Sequence, residues 1–360
     1  MKAAADTLVE VRGLTRRFDV SAPWLNRVVQ RESKRFLTAV ESVDMDVRRG
    51  TTYALVGESG SGKSTIAKLV LGLISPTSGS VRIDGIDLAA GDARANAALR
   101  RRVQMIFQDP YASLNPRWRV GEIVGEPIEA FELAPDARSR SLRVGELLEQ
   151  VGLAAADAAK FPHQFSGGQR QRIGIARALA SEPEFIVCDE PTSALDVSVQ
   201  AQVLNLMRDL QAELGLTYLF ITHDLSVVRY MADTVGVLYL GRLVESAPRE
   251  TLFTAPAHPY TRMLLDAAPR LDGFGREHPT DVGEAPDPID RPSGCHYHPR
   301  CPYRVPECET SYPDVRAFGG RLVACREARR VIEAPAVAPA PASGPESASG
   351  PEVADASGRR

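Results

Sequence analysis

The sequence has no run of apolar residues close to the roughly 18 that a membrane-spanning helix needs. Its 360 residues are 44% hydrophobic and 25% charged, which suffices for one large globular domain with an appendage. The amino-terminal Met-Lys-Ala-Ala-Ala-Asp segment also lacks the apolar centre of an export signal. We therefore expect a protein that is made and kept in the cytosol and does not itself cross a membrane.

A large excess of charge of one sign is also lacking, and cysteines are few. The formal net charge of −3 provides no electrostatic footprint for nucleic acid. In the cytosol, the five cysteines are expected to be thiols or metal ligands and not disulfides.

One glycine-rich stretch has the residue types needed to hold a triphosphate. A short apolar run, Tyr53 to Val56, predicts a buried strand before it, and Ile66, Leu69, Val70 and Leu73 recur at helical spacing after it. Between strand and helix the glycines let backbone N–H groups point at phosphate, and the helix start adds attraction. A glycine-rich turn without function is the alternative, but the lysine and serine argue against it. The predicted nucleotide-binding residues here are Gly57, Ser59, Gly60, Ser61, Gly62, Lys63, Ser64 and Thr65.

Strands alternate with helices along most of the chain, which predicts a mainly parallel sheet. Two alternating patterns, around residues 8–14 and 40–47, predict strands before the glycine-rich turn, and residues 120–179 are helical in pattern. Phe18, at the end of the first strand, could stack on an adenine ring or be an ordinary strand aromatic. The basic and apolar segment 21–36 could touch a membrane surface or a partner, although a solvated loop is favoured.

Three further polar groups suggest the rest of an ATPase site. Asp189 and Glu190 end a buried strand, where Asp189 can hold Mg²⁺ and Glu190 can polarise an attacking water. Ser166 precedes a helix as a predicted N-cap and leaves free N–H groups, a second anion site that suits a nucleotide held by another chain. His223 follows the next strand, near the edge at which a parallel sheet binds ligands.

In order and spacing, these motifs resemble the complete set of an ABC transporter ATPase subunit. The resemblance implies that Phe18 stacks the base, that Gln108 joins the Mg²⁺ site to the membrane-facing groove, and that His223 holds the γ-phosphate and the attacking water. Glu190 and His223, with Gln108, would be catalytic, and Ser64, Gln108 and Asp189 would serve Mg²⁺. Contacts to ATP in the opposite subunit are implied for Ser166, Gly167, Gly168, Gln169 and Asp196.

Three longer stretches, at 108–117, 193–202 and 258–262, look like those of di- and oligopeptide importer ATPases, whose relatives also take up nickel complexes or glutathione. The implied partners are a second homologous ATPase subunit in a heterodimer, two integral membrane permease subunits, and an extracytoplasmic substrate-binding protein. The chain would then sit peripherally on the cytoplasmic face of the cell membrane. The rival functions are an ABC-type ATPase acting on nucleic acid or the ribosome, and a cysteine-cluster redox sensor.

The implied fold is an α/β P-loop NTPase of the ABC type. It has a mainly parallel core sheet, an antiparallel β subdomain, a helical insertion and a small cysteine-containing carboxy-terminal module. We expect the ATPase domain to cover residues 1–265, with its helical subdomain at about 120–180. The module would cover 266–330. Residues 331–360, nearly all Ala, Pro, Ser, Gly, Glu and Val, are expected to be disordered.

Four cysteines cluster in that module, whereas Cys188 reads as a small core residue. Cys295, Cys301, Cys308 and Cys325 have five, six and sixteen residues between successive members. These gaps are wider than zinc ribbons favour, and four thiolates suit a [4Fe–4S] cluster; Zn²⁺ and free or oxidised thiols are the alternatives. His296 and His298 could be substitute ligands, but exposed loop histidines are favoured.

Overall fold

The computed structural model describes residues 6–21, 23, 27, 33–88, 93–267 and 286–334. The predictions for the 21–36 insertion therefore lie partly outside the described residues. The predicted disordered tail lies outside them from residue 335 onward. In the described part of the chain, no helix is both long and apolar enough to cross a bilayer.

The amino-terminal third carries, in the ranges that the structure describes, the six strands and two helices named below. Sequence patterns predicted three strands before the glycine-rich turn and the helix after it. The helix is shorter than predicted: it ends at Val70, and Leu73 is 63% exposed. The elements in order are β1 Thr7–Asp19, β2 Phe36–Arg48, β3 Thr52–Val56, α1 Lys63–Val70, β4 Ser78–Ile83, β5 Ile86–Asp87, α2 Ala93–Arg102 and β6 Val103–Ile106.

The middle of the chain is first helical and then alternates strand and helix. Residues 120–179 contain three α-helices and two 3₁₀ turns, in agreement with the helical pattern predicted for this range. The elements are α3 Val120–Ala130, α4 Ala137–Gln150, α5 Gly167–Leu179, β7 Phe185–Asp189, α6 Val197–Leu214, β8 Thr217–Ile221 and α7 Leu225–Met231.

The remaining described elements lie between residues 234 and 333. They are β9 Thr234–Tyr239, β10 Arg242–Pro248, α8 Arg249–Thr254, α9 Pro259–Ala267, the 3₁₀ turn His298–Arg300, α10 Glu307–Thr310, β11 Arg316–Phe318, β12 Arg321–Val323 and α11 Ala328–Glu333. Leu240 and Gly241 form the two-residue turn between β9 and β10, with φ of 43° and 81°. This turn thus connects two adjacent strands inside the predicted 1–265 domain.

The described strands form two sheets. A four-stranded antiparallel sheet has the order β2-β1-β4-β5, and an eight-stranded sheet has the order β11-β12-β10-β9-β3-β8-β7-β6. Strands β9, β3, β8, β7 and β6 run parallel, while β10, β12 and β11 are added antiparallel at one edge. The core sheet is thus mixed. Because β12 pairs with β10, part of the predicted 266–330 module extends the core sheet. That residues 266–330 form a module separate from the ATPase domain stays a prediction.

Buried strands position the site at one edge of this sheet. All five residues of each of β3, β7 and β8 are buried, as expected for parallel strands covered on both faces. Cys188 lies in β7 with no exposed surface, as the sequence predicted. The glycine-rich turn, Glu190 and His223 follow the carboxyl ends of these strands, which meet at the same edge.

Candidate functional site

The glycine-rich turn between β3 and α1 is a loop that requires glycine at two positions. Gly57 has φ of 154°, and a Cβ there would lie 2.1 Å from the carbonyl oxygen of Leu238. Gly62 has φ of 106°, and a Cβ there would lie 2.2 Å from the carbonyl oxygen of Ala39. Both contacts are to backbone, so the loop can pack this closely only without side chains at these positions.

Lys63 is buried and points back along the loop. Its Nζ donates hydrogen bonds of 2.8 Å to the carbonyl oxygens of Gly57 and of Glu58. Burial lowers the pKa of Lys63, and the carboxylates of Glu190, Asp189 and Glu58 oppose that change. A cation held by backbone carbonyls inside a glycine-rich loop is suited to meeting the charge of a polyphosphate.

Ser64 and Asp189, which the sequence predicted to serve Mg²⁺, are in contact. The Ser64 hydroxyl donates to Asp189 Oδ1 over 3.2 Å. Burial raises the pKa of Asp189, and the bond from Ser64 opposes the increase. A hydroxyl and a carboxylate are oxygen donors of the kind that Mg²⁺ prefers, so the residues present fit that ion.

The three residues predicted to be catalytic form one hydrogen-bonded group. Gln108 Nε2 donates to Glu190 Oε2 over 2.9 Å, and His223 Nδ1 lies 3.0 Å from Glu190 Oε1. Glu190 has φ of 45°, a left-handed conformation that is unusual outside glycine. Both oxygens of this carboxylate are therefore oriented by neighbours, and the group directly follows Asp189.

The predicted second anion site has the expected capping geometry. Ser166 Oγ accepts from the N–H of Gln169 over 3.3 Å, and Gln169 Oε1 accepts from the N–H of Ser166 over 3.0 Å. This reciprocal capping box begins α5 and fixes its first turn. A Cβ on Gly168 would lie 2.3 Å from Val199 Cγ1, so this glycine lets α5 approach α6.

The other predicted nucleotide contacts are near the surface. Asp196 is exposed at the N-cap position of α6, where its side chain makes no capping bond. Phe18 is half-buried at the end of β1, and the guanidinium carbon of Arg16 lies 4.6 Å from its ring centroid. The roles of Phe18 in base stacking and of Asp196 between two nucleotide sites stay predictions.

The four clustered cysteines line one small cavity. Cys295, Cys301, Cys308 and Cys325 share it with His298, and the N–H of Cys295 donates to the carbonyl of Cys308. Within the described residues, no group of three or more His, Cys, Asp and Glu side chains is arranged to hold a metal ion. Burial raises the pKa of Cys301 to about 11 and that of Cys325 to about 12.

The two neighbouring histidines are not the exposed loop residues that the sequence suggested. His296 is only 8% exposed, and burial lowers its pKa to about 4. His298 is half-buried beside the thiols, and its Nδ1 lies 2.9 Å from the Cys295 carbonyl oxygen. The ring centroids of His296 and Tyr312 are 5.2 Å apart, and His298 lines the cavity of the four cysteines.

Sequence analysis missed residues that contact the glycine-rich loop from far along the chain. Arg300 forms an ion pair with Glu58, and the Glu58 N–H donates to the hydroxyl of Tyr260. Tyr260 lies in a stretch that sequence analysis used only as a family marker. Nothing near Arg300 in the sequence points to a residue 242 positions away.

Comparison with known proteins agrees with this geometry. Residues 40–193 match the family model described as ABC transporter, and residues 244–308 match the one described as oligopeptide/dipeptide transporter, C-terminal region. A dimeric ATP-binding cassette solved in a post-hydrolysis state with ADP and Pi is similar with a TM-score of 0.58 and 30% identity. That similarity covers 67% of this chain and 99% of the cassette.

Curated relatives are similar along nearly the whole chain. A "Probable peptide ABC transporter ATP-binding protein" of Sinorhizobium fredii is 47% identical over 334 residues, which are 92% of each chain. A provisionally named oligopeptide transport ATP-binding protein of Bacillus subtilis is 49% identical over 322 residues, which are 88% of this chain and 94% of the relative. The chain therefore belongs to the ATP-hydrolysing, ATP-binding subunits of ABC transporters, in the branch that carries the oligopeptide/dipeptide transporter C-terminal region.

Proposed function

We propose that this subunit drives the import of dipeptides or oligopeptides. The observation that supports this substrate class is the match of residues 244–308 to the oligopeptide/dipeptide transporter C-terminal region. The two relatives described above are named for peptide and oligopeptide transport. Selection of the peptide itself would fall to other subunits.

In the proposed reaction, Lys63 and the glycine-rich loop bind the phosphates of ATP, and Ser64 and Asp189 hold Mg²⁺. Bound Mg²⁺ would neutralise charge on the β- and γ-phosphates. Glu190 then orients and deprotonates the attacking water. Its two hydrogen bonds, to Gln108 and His223, support this role because they fix the direction of the carboxylate.

The capped start of α5 supports a two-chain site. The loop before α1 already binds the phosphates of one nucleotide. Residues 166–169 of one subunit would therefore close over the ATP that is bound to the other subunit. Asp196 would lie between the two sites. We propose a second, homologous ATPase subunit as the partner, with two permease subunits in the membrane, an extracytoplasmic substrate-binding protein, and a peripheral position on the cytoplasmic face.

We also propose that Cys295, Cys301, Cys308 and Cys325 hold a [4Fe–4S] cluster, with Zn²⁺ as the alternative. The support is that all four thiols line one cavity, although their side chains would have to reorient to bind a metal. Such a cluster would link four separate segments of the chain by Fe–S bonds. We further propose that the ATPase domain ends at residue 265 and that the cysteine-containing module ends at residue 330.

Transport by the purified complex tests the substrate class. The chain is isolated from membranes with its co-purifying integral subunits, reconstituted into vesicles with the binding protein, and supplied with labelled oligopeptide, nickel complex or glutathione in separate reactions. We expect ATP-dependent uptake of peptide, which Lys63→Ala abolishes. Uptake of nickel complex or glutathione in place of peptide would overturn the substrate class. Co-isolation of RNA or DNA without membrane subunits would overturn the transport function.

A further inference from the structure

The stretch at 258–262 holds a side chain against the phosphate-binding loop. Tyr260 lies in α9 and is fully buried, and its hydroxyl oxygen accepts the N–H of Glu58 over 2.8 Å. The start of α9 is itself fixed, because the Tyr260 N–H donates to His258 Nδ1 over 3.1 Å. The hydroxyl of Tyr260 is therefore held at a set position beside the loop.

The carboxylate of the same glutamate is paired with a second distant residue. Arg300 Nη1 and Nη2 donate to the two oxygens of Glu58 over 3.2 and 3.1 Å. The Arg300 side chain is 9% exposed and that of Glu58 is 29% exposed. Burial opposes the charge of Arg300, but the hydrogen bonds to Glu58 raise its pKa above the ordinary value. A two-bond pair of this kind fixes orientation as well as charge.

The backbone carbonyl of Glu58 is bonded to the nucleotide-binding lysine. Its carbonyl oxygen accepts from Lys63 Nζ over 2.8 Å. The N–H, the carbonyl and the carboxylate of one loop residue are thus each bonded to a different side chain. Glu58 cannot shift without breaking at least one of these contacts.

Aromatic packing makes the two distant contacts rigid. The ring centroids of Tyr239 and Tyr260 are 4.5 Å apart, those of Tyr239 and Tyr297 are 5.3 Å apart, and those of Tyr260 and Tyr297 are 5.5 Å apart. All three tyrosines are at most 2% exposed. Arg300 ends the 3₁₀ turn that follows Tyr297, so the rings brace both Tyr260 and Arg300.

We propose that Tyr260 and Arg300 are positioning residues that hold Glu58 and thereby set the affinity of the loop for ATP. Glu58 is an acidic residue inside a loop whose N–H groups must receive a polyanion. An unpaired carboxylate there would repel the phosphates, and its backbone would be free to turn away. Arg300 neutralises the charge, and Tyr260 fixes the backbone.

The test measures the dissociation constant of ATP by calorimetry on the purified full-length chain. Arg300→Ala should raise the dissociation constant about tenfold, because the half-buried Glu58 carboxylate would then face the phosphates without its partner cation. Adding Glu58→Gln to Arg300→Ala should recover most of that loss, because the repelling charge is gone. Tyr260→Phe, which removes only the hydroxyl, should raise the dissociation constant about threefold.

Two matched variants control for loss of stability. Arg102 donates two hydrogen bonds of 2.9 Å to the carboxylate of Glu184, which precedes β7 at the end opposite Asp189, so Arg102→Ala removes a matched two-bond pair away from the loop. Tyr303→Phe removes a hydroxyl that accepts from Arg262. We expect both to bind ATP within about twofold of the unchanged chain.

Specific outcomes would overturn the proposal. One is that ATP binds Arg300→Ala with the same dissociation constant as Arg102→Ala, and another is that adding Glu58→Gln to Arg300→Ala recovers none of the lost affinity. If Arg300→Ala does not fold, Arg300→Lys keeps the charge but loses the two-bond geometry and should bind ATP more weakly; unchanged affinity in both Arg300→Lys and Tyr260→Phe would refute the proposal. ATP binding is measured without membrane subunits, so failure of peptide import leaves this result unaffected.

Discussion

Replacement of Glu190 by Gln tests the catalytic group directly. The amide keeps the size of the side chain and can still bond Gln108 and His223, so the left-handed backbone at this residue need not change. The substitution removes the negative charge and with it the ability to accept a proton from water. We therefore expect ATP binding to survive while turnover is nearly abolished.

The size of the loss follows from the role assigned to the carboxylate. A positioned general base contributes on the order of 10²- to 10⁴-fold to rate, and a thousandfold loss corresponds to about 4 kcal/mol in the activation barrier. Steady-state phosphate release gives kcat, and calorimetry gives the dissociation constant of ATP. The dissociation constant should change by less than about threefold, because Glu190 is not proposed to bind the nucleotide in the ground state.

Glu184→Gln provides the matched control. Glu184 immediately precedes β7, at the opposite end of the strand that carries Asp189, and it pairs with Arg49 and Arg102. The same chemical change there should leave kcat within about twofold. If Glu190→Gln retains more than about a tenth of the original kcat, Glu190 is not the base. The assignment would then pass to His223, whose ring shares the hydrogen bond.

Two other predictions concern the metal and the acid stability of the fold. Cys301→Ser should lower the iron bound to anaerobically purified protein while Cys188→Ser does not, and an unchanged iron content would discard the cluster. Hydrogen bonds from Arg102 hold the pKa of Asp84 and of Glu184 below their ordinary values. Their stabilisation is therefore present above about pH 4 and is lost as pH falls further. Arg102→Ala should lower the free energy of unfolding in urea by about 1 kcal/mol at pH 7 and by much less near pH 3; an equal loss at both pH values would contradict this.

The sequence predicted those parts of the site whose signals are local. The loop of residues 57–65 lies between a buried strand and an amphipathic helix, and each of these is visible in a few consecutive residues. Ser166 directly precedes a helical pattern, so its N-cap role could be predicted, whereas the reciprocal bond to Gln169 Oε1 was found only in the structure. Glu190 and His223 could be placed near each other because the carboxyl ends of parallel strands share one edge.

The elements that were missed lack such local signals. Strand β9 contains Gly236, which usually weakens a strand; a Cβ there would lie 2.5 Å from the Tyr53 hydroxyl. Glycine is thus needed for packing against β3, a reason that only the tertiary structure reveals. Strands β11 and β12 have three residues each, which is too short for alternation to be detected. Helix α1 was overextended because Leu73 matches the helical spacing although it lies beyond Gly72, whose φ is 67°.

The pair of Glu58 and Arg300 shows why motif spacing alone does not determine the chemistry of a site. The glycine-rich pattern leaves the residue after Gly57 open, and an acidic residue there would by itself oppose phosphate binding. Its charge is compensated by an arginine in a segment that reads as a loop with cysteines. A phosphate-binding loop can therefore carry a carboxylate when the fold supplies a buried cation. Because Arg300 immediately precedes Cys301, the residue that pairs with the loop and one of the four clustered cysteines are neighbours in the chain.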